Sequence, residues 1–511
     1  MKHAKRKLAI VLLFMAGITA GLCIAICRRP SGNVGALATP EEQEFVDTWR
    51  RIARNPFPPE GAMRENVFAI EVQCENPVLR ELTIKNTGDT ILNNFWLHRE
   101  GSPNFYNVAT IVRSCTDENQ SDSEKVIALF DLFRTHYENF WPINPAGMLD
   151  DPPTLLASVG YGQCNLAACA FELLCQSVGV ETRRIGVELV ENGKTRFAHN
   201  AVEAYLDGAW RYFDPDGRVF YRLADGTIAC VEQLKADASP IRNGPAPVGY
   251  RRELYAAAFE RGNVIVYEPR EPLRRKTMYE NMSAFPLMYR EAMRYDLPPG
   301  MKLVLSRDPA EKFFVRGLGG VSDTSAVNGE VPPCASGRIE WHISPASFGD
   351  VANVLSSGDE LVVAIKSPYV IAGGQVAAET TGNAREIGFL PFVFSPTYKH
   401  TFHRLTPRDG SASVKLGPAL PKFHPLTGFA LKVDRNGLGK LQVTADIQHN
   451  PRALPKLTRG ENRFVLWSPW PCAFTVENSP TASVVETDNG LRLRFEFSQK
   501  KAGLDAAPRL R

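Results

Sequence analysis

Apolar residues along this chain change period from one stretch to the next, and the period marks out the elements. Over residues 66–97 apolar and polar positions alternate as in half-buried strands, with Asn86-Thr87-Gly88-Asp89 as a turn. Ser121-x-x-Glu124 has the spacing of a capping box, and Val126, Ile127, Phe130, Phe133 and Tyr137 then form the apolar stripe of a helix. A second helix is predicted over 165–176. Its Leu166, Ala170, Leu173 and Leu174 recur at helical spacing, between the breaker Gly160-Tyr161-Gly162 and a stop at Gly179. A meander follows, with strands over 183–190, 195–206 and 209–213 joined by the tight-turn pairs Asn192-Gly193 and Asp207-Gly208. Residues 251–295 are mixed, charged and partly helical. From Leu297 onward Gly, Pro and Asn interrupt short apolar runs, of which 361–365, 387–393, 429–433, 441–447, 464–467 and 491–497 read as strands. That spacing predicts one or two β-sandwiches.

The amino terminus differs from all of this. Residues 1–7 are basic, 8–27 are uncharged and mainly apolar, and Arg28-Arg29-Pro30 follows. About twenty apolar residues suffice to span a bilayer as a helix. The run is longer than a usual signal-peptide core, and the nearest small-x-small site, Ala36-Leu37-Ala38, lies past two arginines. Cys23 and Cys27 follow Leu22 and Ile26, where a lipoprotein site requires a small residue. The reading is a transmembrane anchor or uncleaved signal with its basic end in the cytoplasm; a cleaved signal peptide is the alternative. Either puts the bulk of the chain outside the cytoplasm, in the periplasm or at the cell surface.

Composition narrows the class. With 511 residues, 44% hydrophobic and 23% charged, the chain can bury substantial cores and hold about two to four domains. A net charge of +3 argues against nucleic acid and acidic polymers as partners. Beyond the apolar run the cysteines are Cys74, Cys115, Cys164, Cys169, Cys175, Cys230, Cys334 and Cys472, without CxxC pairing or zinc-ligand spacing. No metal, cofactor or disulfide is assigned from that pattern, and no phosphate loop is present. Trp341, Trp467 and Trp470 are candidates for stacking on a glycan, although strand aromatics ordinarily fill a core.

The chemistry concentrates between Tyr161 and Asp216. Cys164 falls in the first turn of the predicted helix, where the positive end of the helix dipole favours a thiolate and an unpaired backbone amide can donate to an oxyanion. Cys169 and Cys175 lie deeper in the same helix and read as small buried hydrophobes. A thiol nucleophile needs a base and a group that orients the base. If Asp207 and Gly208 are a two-residue loop, Leu206 faces Ala209, Asp214 falls opposite Ala201 and Asp216 opposite His199. His199, Asp214 and Asp216 then share one face, with His199 and Asp214 as diagonal neighbours about 7–8 Å apart at the backbone. Asp216 is the alternative orienting acid.

This segment resembles the transglutaminase-like superfamily, a branch of the papain-like cysteine enzymes. The matching residues are Gly162-Gln163-Cys164 and its small-residue helix, Gly179-Val180-Glu181-Thr182-Arg183, His199-x-x-Val202-Glu203, Tyr205-Leu206-Asp207-Gly208-x-Trp210 and Asp214-Pro215. The resemblance implies an α+β fold, a papain-like core in which the Cys-bearing helix packs on an antiparallel sheet. It implies Cys164 as nucleophile, His199 as base and Asp214 as orienting acid, with the Cys164 amide and Gln163 as oxyanion candidates. The family often has an aromatic after the cysteine and another two residues after the histidine; here these are Asn165 and Ala201, so the cleft is lined differently.

The expected organisation is a cytoplasmic segment 1–7, an anchor 8–27, a linker 28–60, a small β unit 61–118, a transglutaminase-like domain 119–245, a connector 246–295, a β-sandwich region 296–500 and a basic tail 501–511. The expected function is acyl transfer or hydrolysis of protein or peptide amide bonds. The alternative is a non-catalytic surface protein that uses the papain-like fold as scaffold and the β-sandwich region to bind glycan or protein.

Overall fold

Three strands, β1 (Arg64–Val72), β2 (Pro77–Asn86) and β3 (Leu92–Arg99), open the described part of this computed structural model. The structure describes residues 63–140, 152–267, 293, 295–315, 320–323, 334–343, 354–357, 360–380, 387–392, 403–405, 410–416, 426–434 and 438–499. The apolar run 8–27, its flanking segments, most of 268–294 and the tail 501–511 lie outside the described residues.

Helix α1 (Val108–Cys115) begins where Asn107 Oδ1 accepts from Thr110 N at 2.8 Å. Helix α2 (Asp122–His136) begins at the expected capping box. Glu124 accepts from Ser121 N at 2.8 Å, and Ser121 Oγ accepts from Glu124 N at 3.3 Å. Its stripe is buried as expected, apart from the half-buried Ile127. Strands β4 (Glu138–Asn139) and β5 (Tyr161–Gly162) pair in parallel just ahead of helix α3 (Cys164–Ser177). Phe171 of α3 meets Phe130 and Phe133 of α2 edge-on, with ring centroids 5.6 and 5.7 Å apart.

The meander forms as predicted: β6 (Thr182–Glu191), β7 (Lys194–Leu206) and β8 (Ala209–Phe213) are antiparallel neighbours. Asn192 and Asp207 take φ of 52°, with Gly193 at 72° and Gly208 at 79°. Two successive left-handed residues match the right-handed twist of the flanking strands. The sheet gains a fourth strand, β9 (Val264–Val266), which pairs with β6. Helices α4 (Val231–Ala236), α5 (Ser239–Asn243) and α6 (Arg252–Glu260) cover its far face, with Tyr255 and Phe259 fully buried. Helix α3 packs on β7, the expected transglutaminase-like arrangement of a Cys-bearing helix against an antiparallel sheet.

The β-rich remainder crosses the expected segments. Strands β1–β3 do not pair with one another. β1 pairs along its whole length with Gly460–Ser468, which also pairs with β3, while β2 lies between Leu491–Gln499 and Lys302–Pro309 in a second sheet. Each strand has one apolar face, and a lone three-stranded unit would leave that face in water. The two sheets close on each other instead. Phe464 lies 4.8 Å from Phe495, and Phe68 lies 4.9 Å from Phe474, tilted ring against tilted ring across the interface. The sandwich is therefore built jointly by residues 64–99 and the carboxy-terminal strands. Its second sheet continues through Ala335–Ile343 and Leu438–His449 to the long strand Glu360–Thr380. Gly374 breaks that strand with φ 119°, where a Cβ would fall 2.1 Å from the Thr444 carbonyl. Of the three tryptophans, Trp341 is buried with Nε1 donating to Pro299 O at 3.1 Å. Trp467 packs edge-on against Tyr106 with centroids 5.1 Å apart, and Trp470 is exposed.

The core meets this sheet at two buried amide side chains, Gln448 and Asn450. Asn450 Nδ2 donates to His136 O at 2.7 Å and to Leu156 O at 2.5 Å. The preceding Gln448 donates to Tyr161 Oη at 2.9 Å. Gly160 (φ 77°) leaves the room: a Cβ there would lie 2.5 Å from Asn450 Cγ.

Burial lowers three histidines around this junction, His98, His136 and His449, from 6.5 to about 4. The folded state binds fewer protons than the unfolded chain between those values, so stability falls as pH falls from about 6.5 to 4. A fully buried histidine contributes at most about 1.4 kcal/mol per pH unit there. Asp216, raised from 3.8 to about 6, acts in the opposite sense, one group against three. Thermal unfolding should show a melting temperature that drops between pH 7 and 4.5, with a shallower drop in His449→Gln. A pH-independent value would contradict burial of neutral imidazoles.

Candidate active site

Cys164 is the first residue of α3, half-buried at the end of the β5 strand. Gln163 occupies the N-cap with extended backbone (φ −107°, ψ 164°), and its side chain makes no capping bond. Serine, threonine or aspartate there would turn a side-chain oxygen onto the first-turn amides; with Gln163 they receive no side-chain cap. Asn200 Nδ2 lies 3.7 Å from Cys164 Sγ as a weak donor.

His199 projects from β7 toward α3, and its ring is buried. The register from Val202↔Phe213 to Leu206↔Ala209 is the one expected from the Asp207-Gly208 turn. It carries Asp214 to the diagonal position, where His199 Nε2 and Asp214 Oδ2 are 2.8 Å apart. Asp214 also accepts from Tyr255 Oη at 2.5 Å and from Gly217 N at 2.7 Å. Gly217 is required for this approach, since a Cβ would fall 2.4 Å from Asp214 Oδ2.

The register ends at Phe213, and the two acids part there. Asp214 leaves the ladder to bridge Val219, its N–H donating to Val219 O at 2.8 Å, so Asp216 is not held opposite His199 by the sheet. Asp216 instead reaches the other ring nitrogen: its Oδ2 is 3.8 Å from Nδ1. Its carboxylate accepts from Tyr137 Oη and Tyr250 Oη at 2.8 Å each and from Asn139 Nδ2 at 2.9 Å. Of the two acids, Asp214 is the one hydrogen-bonded to the imidazole. Cys164, His199 and Asp216 present one side-chain atom each within 4.8 Å of one another, on the face turned toward the thiol.

Burial opposes charging of His199, but the charge and hydrogen bond of Asp214, reinforced by Cys164, hold its pKa well above the usual imidazole value. This raised group stabilises the fold fully below about pH 6.5, and the contribution is lost as pH rises through the folded value. Burial pushes Asp216 up to about 6, against the pull of His199 and its donors. Burial also raises Tyr137, Tyr250 and Tyr255, which keeps them protonated and able to donate.

The sequence pattern does not mark Tyr250, Tyr255 and Asn139. Tyr250 packs against His199 with ring centroids 4.3 Å apart and planes tilted by 55°. Both tyrosines fall in the stretch expected to be a connector, and only the tertiary fold brings α6 behind β8. Tyr137 enters the pattern only as part of a buried stripe. Cys169 also differs from expectation: it is half-buried, with the Arg184 guanidinium 3.2 Å from its sulfur, because Arg184 reaches across α3 to the buried Glu172. Cys175 is buried as expected, and the eight described cysteines are free thiols.

Residues 109–215 match the family model of the transglutaminase-like superfamily. The match spans Cys164, His199 and Asp214 and ends just before Asp216. The chain thus carries a transglutaminase-like core; members of that superfamily are typically cysteine peptidases or acyltransferases. Among solved structures the chain is similar to a candidate protease from Parabacteroides distasonis ATCC 8503, at 11% identity over 78% of this chain and 75% of that one, with a TM-score of 0.19. It is also similar to red sea bream transglutaminase, at 12% identity over 71% of this chain and 57% of that one, with a TM-score of 0.16. No curated protein matches the chain.

Gly217→Ala tests the arrangement around Asp214. The added methyl should displace the carboxylate from His199, lower the His199 pKa in an NMR titration, and destabilise the fold by about 1–3 kcal/mol. An unchanged titration would show that Asp214 does not set the charge of the imidazole.

Proposed function

We propose that this protein is an extracytoplasmic cysteine enzyme that cleaves or transfers protein or peptide amide groups through a thioester. The observation that carries the reading is the buried imidazole of His199, bound through Nε2 to Asp214 at 2.8 Å with its free Nδ1 beside Cys164 Sγ.

In the reaction, the thiol proton rests on His199 Nδ1, which is held charged beside Asp214, and the Cys164 thiolate attacks the amide carbonyl carbon. The oxyanion lies at the uncapped first turn of α3, next to the Cys164 amide, with the Gln163 side chain at its edge. Collapse breaks the C–N bond, and the leaving amine takes the proton from Nδ1. Water, or a lysine amine in a crosslinking reaction, then attacks the thioester; His199 accepts its proton, and the thiolate departs. Asp214 keeps Nε2–H bonded throughout, so Nδ1 is the nitrogen that gives and takes the proton. Hydrolysis is the outcome we favour, with a protein or peptide as substrate. The apolar run 8–27 anchors the chain, its basic end in the cytoplasm and the enzyme outside.

Iodoacetamide labelling between pH 5 and 9, quantified at each cysteine by peptide mass spectrometry, tests this reading. Cys164 should label faster than Cys169, Cys230 and Cys472 at the acid end of this range. His199→Ala should shift Cys164 to the ordinary profile, and Asp214→Asn should slow amide turnover by about a hundredfold or more. If Cys164 labels no faster than the other half-buried thiols, the enzyme reading falls and the scaffold reading takes its place.

A further inference from the structure

We propose that Cys164 Sγ, His199 Nδ1 and Asp216 Oδ2 form a three-ligand zinc site, and that its occupation switches the thiol off. The consequence for activity rests on the reading of Cys164 as nucleophile; the binding itself rests only on the geometry.

The three donors lie within 4.8 Å of one another, with 3.8 Å between His199 Nδ1 and Asp216 Oδ2. Tetrahedral zinc, with bonds of about 2.0–2.3 Å, sets its ligand atoms roughly 3.3–3.7 Å apart. Small side-chain rotations therefore close the site without backbone movement. His199 is only 1% exposed, and its Nδ1 makes no well-formed hydrogen bond, interacting only loosely with Cys164 and Asp216. Buried polar nitrogens without a partner are uncommon, and this one points at the two other donors.

The surroundings match those of a zinc-bound histidine. The Nε2 bond to Asp214 supplies the carboxylate–histidine support that fixes a ligating ring and leaves the lone pair on the opposite nitrogen. Asp216 is held by Tyr137, Tyr250 and Asn139, so both the imidazole and the carboxylate are positioned before a metal arrives. Cys164 is half-buried, which leaves an approach and a fourth position for water. A sulfur, nitrogen and oxygen set suits zinc or cobalt and is poor for calcium or magnesium, which prefer oxygen alone. A thiolate and a carboxylate together balance the charge of the dication. With Sγ and Nδ1 both bound to metal, neither attack nor proton transfer can proceed. The ligands come from a helix start, a strand and a turn, so no short spacing motif marks the site in the sequence.

The test is titration of the metal-free full chain in detergent with Co²⁺. Expected are a thiolate-to-cobalt charge-transfer band that saturates at one equivalent, its displacement by Zn²⁺, and its loss in Cys164→Ala. Asp216→Asn should weaken Zn²⁺ binding by about 10–100-fold or more. Should that variant fail to fold, as judged by thermal unfolding, protection of wild-type Cys164 from iodoacetamide by equimolar Zn²⁺ supplies the second measurement. Absence of the band, its persistence in Cys164→Ala, or an affinity unchanged by Asp216→Asn would overturn the site. Activated labelling of Cys164 without a cobalt band removes the zinc site and keeps the enzyme. A cobalt band with an inert thiol does the reverse.

Discussion

The buried carboxylate of Asp214 is the constraint around which the site is built. It has no exposed surface, and a charge in that position persists only if every lone pair is answered. The answers come from three directions: the His199 ring on β7, the Tyr255 hydroxyl on α6 and the Gly217 amide in the turn after β8. Each bond fixes an element. The imidazole is held in one orientation, α6 is drawn against the back of the sheet, and the chain is turned sharply so that Asp216 reaches the thiol side. The hydroxyl pair of Tyr212 and Tyr255, 2.5 Å apart, extends the network into the second core.

The β-rich half takes part in this. Asn450 and Gln448, at the end of the strand Leu438–His449, hold the backbone and side chains immediately ahead of Cys164. The first turn of α3 is thereby placed from the sheet side while its hydrophobic face is placed by α2. Cys164 and His199 are thus held in place by different layers, the helix start by the sheet and α2 and the imidazole by Asp214. The sandwich, assembled from strands at both ends of the chain, is for that reason part of the framework of the cleft.

Much of this is legible in the sequence where local chemistry decides conformation. Turn pairs such as Asp207-Gly208 require left-handed backbone and set the register, so their position alone brings His199 near Asp214. The capping box at Ser121 and the stripe of α2 are likewise local. Legibility ends where pairing is long-range. Alternation marks β1–β3 as strands but does not reveal that Gly460–Ser468 inserts between β1 and β3, because any apolar face satisfies the pattern. The register argument ends at Phe213 for the same reason: the bridge from Asp214 to Val219 belongs to the turn, not the ladder. Tyr250 and Tyr255 carry no local mark of their role, since a buried tyrosine becomes a donor only through what the fold brings to it.

Asp216 is not needed to orient the base, and burial makes its charge costly enough to raise its pKa to about 6. Its retention has a mechanical account. It joins Tyr137 at the end of α2, Asn139 on β4 and Tyr250 at the approach to α6, elements that share no other common partner among the described polar bonds. These groups gather on the Nδ1 side of the ring, and Tyr250 at the same time lies against the imidazole with its ring tilted by 55°. A neutral residue in this place would hold the wall with weaker bonds, because hydrogen bonds to an ionised acceptor are roughly twice as strong as neutral ones. The two carboxylates thus flank one ring: Asp214 is bonded to Nε2 at 2.8 Å, and Asp216, tied to three donors, stands 3.8 Å from Nδ1.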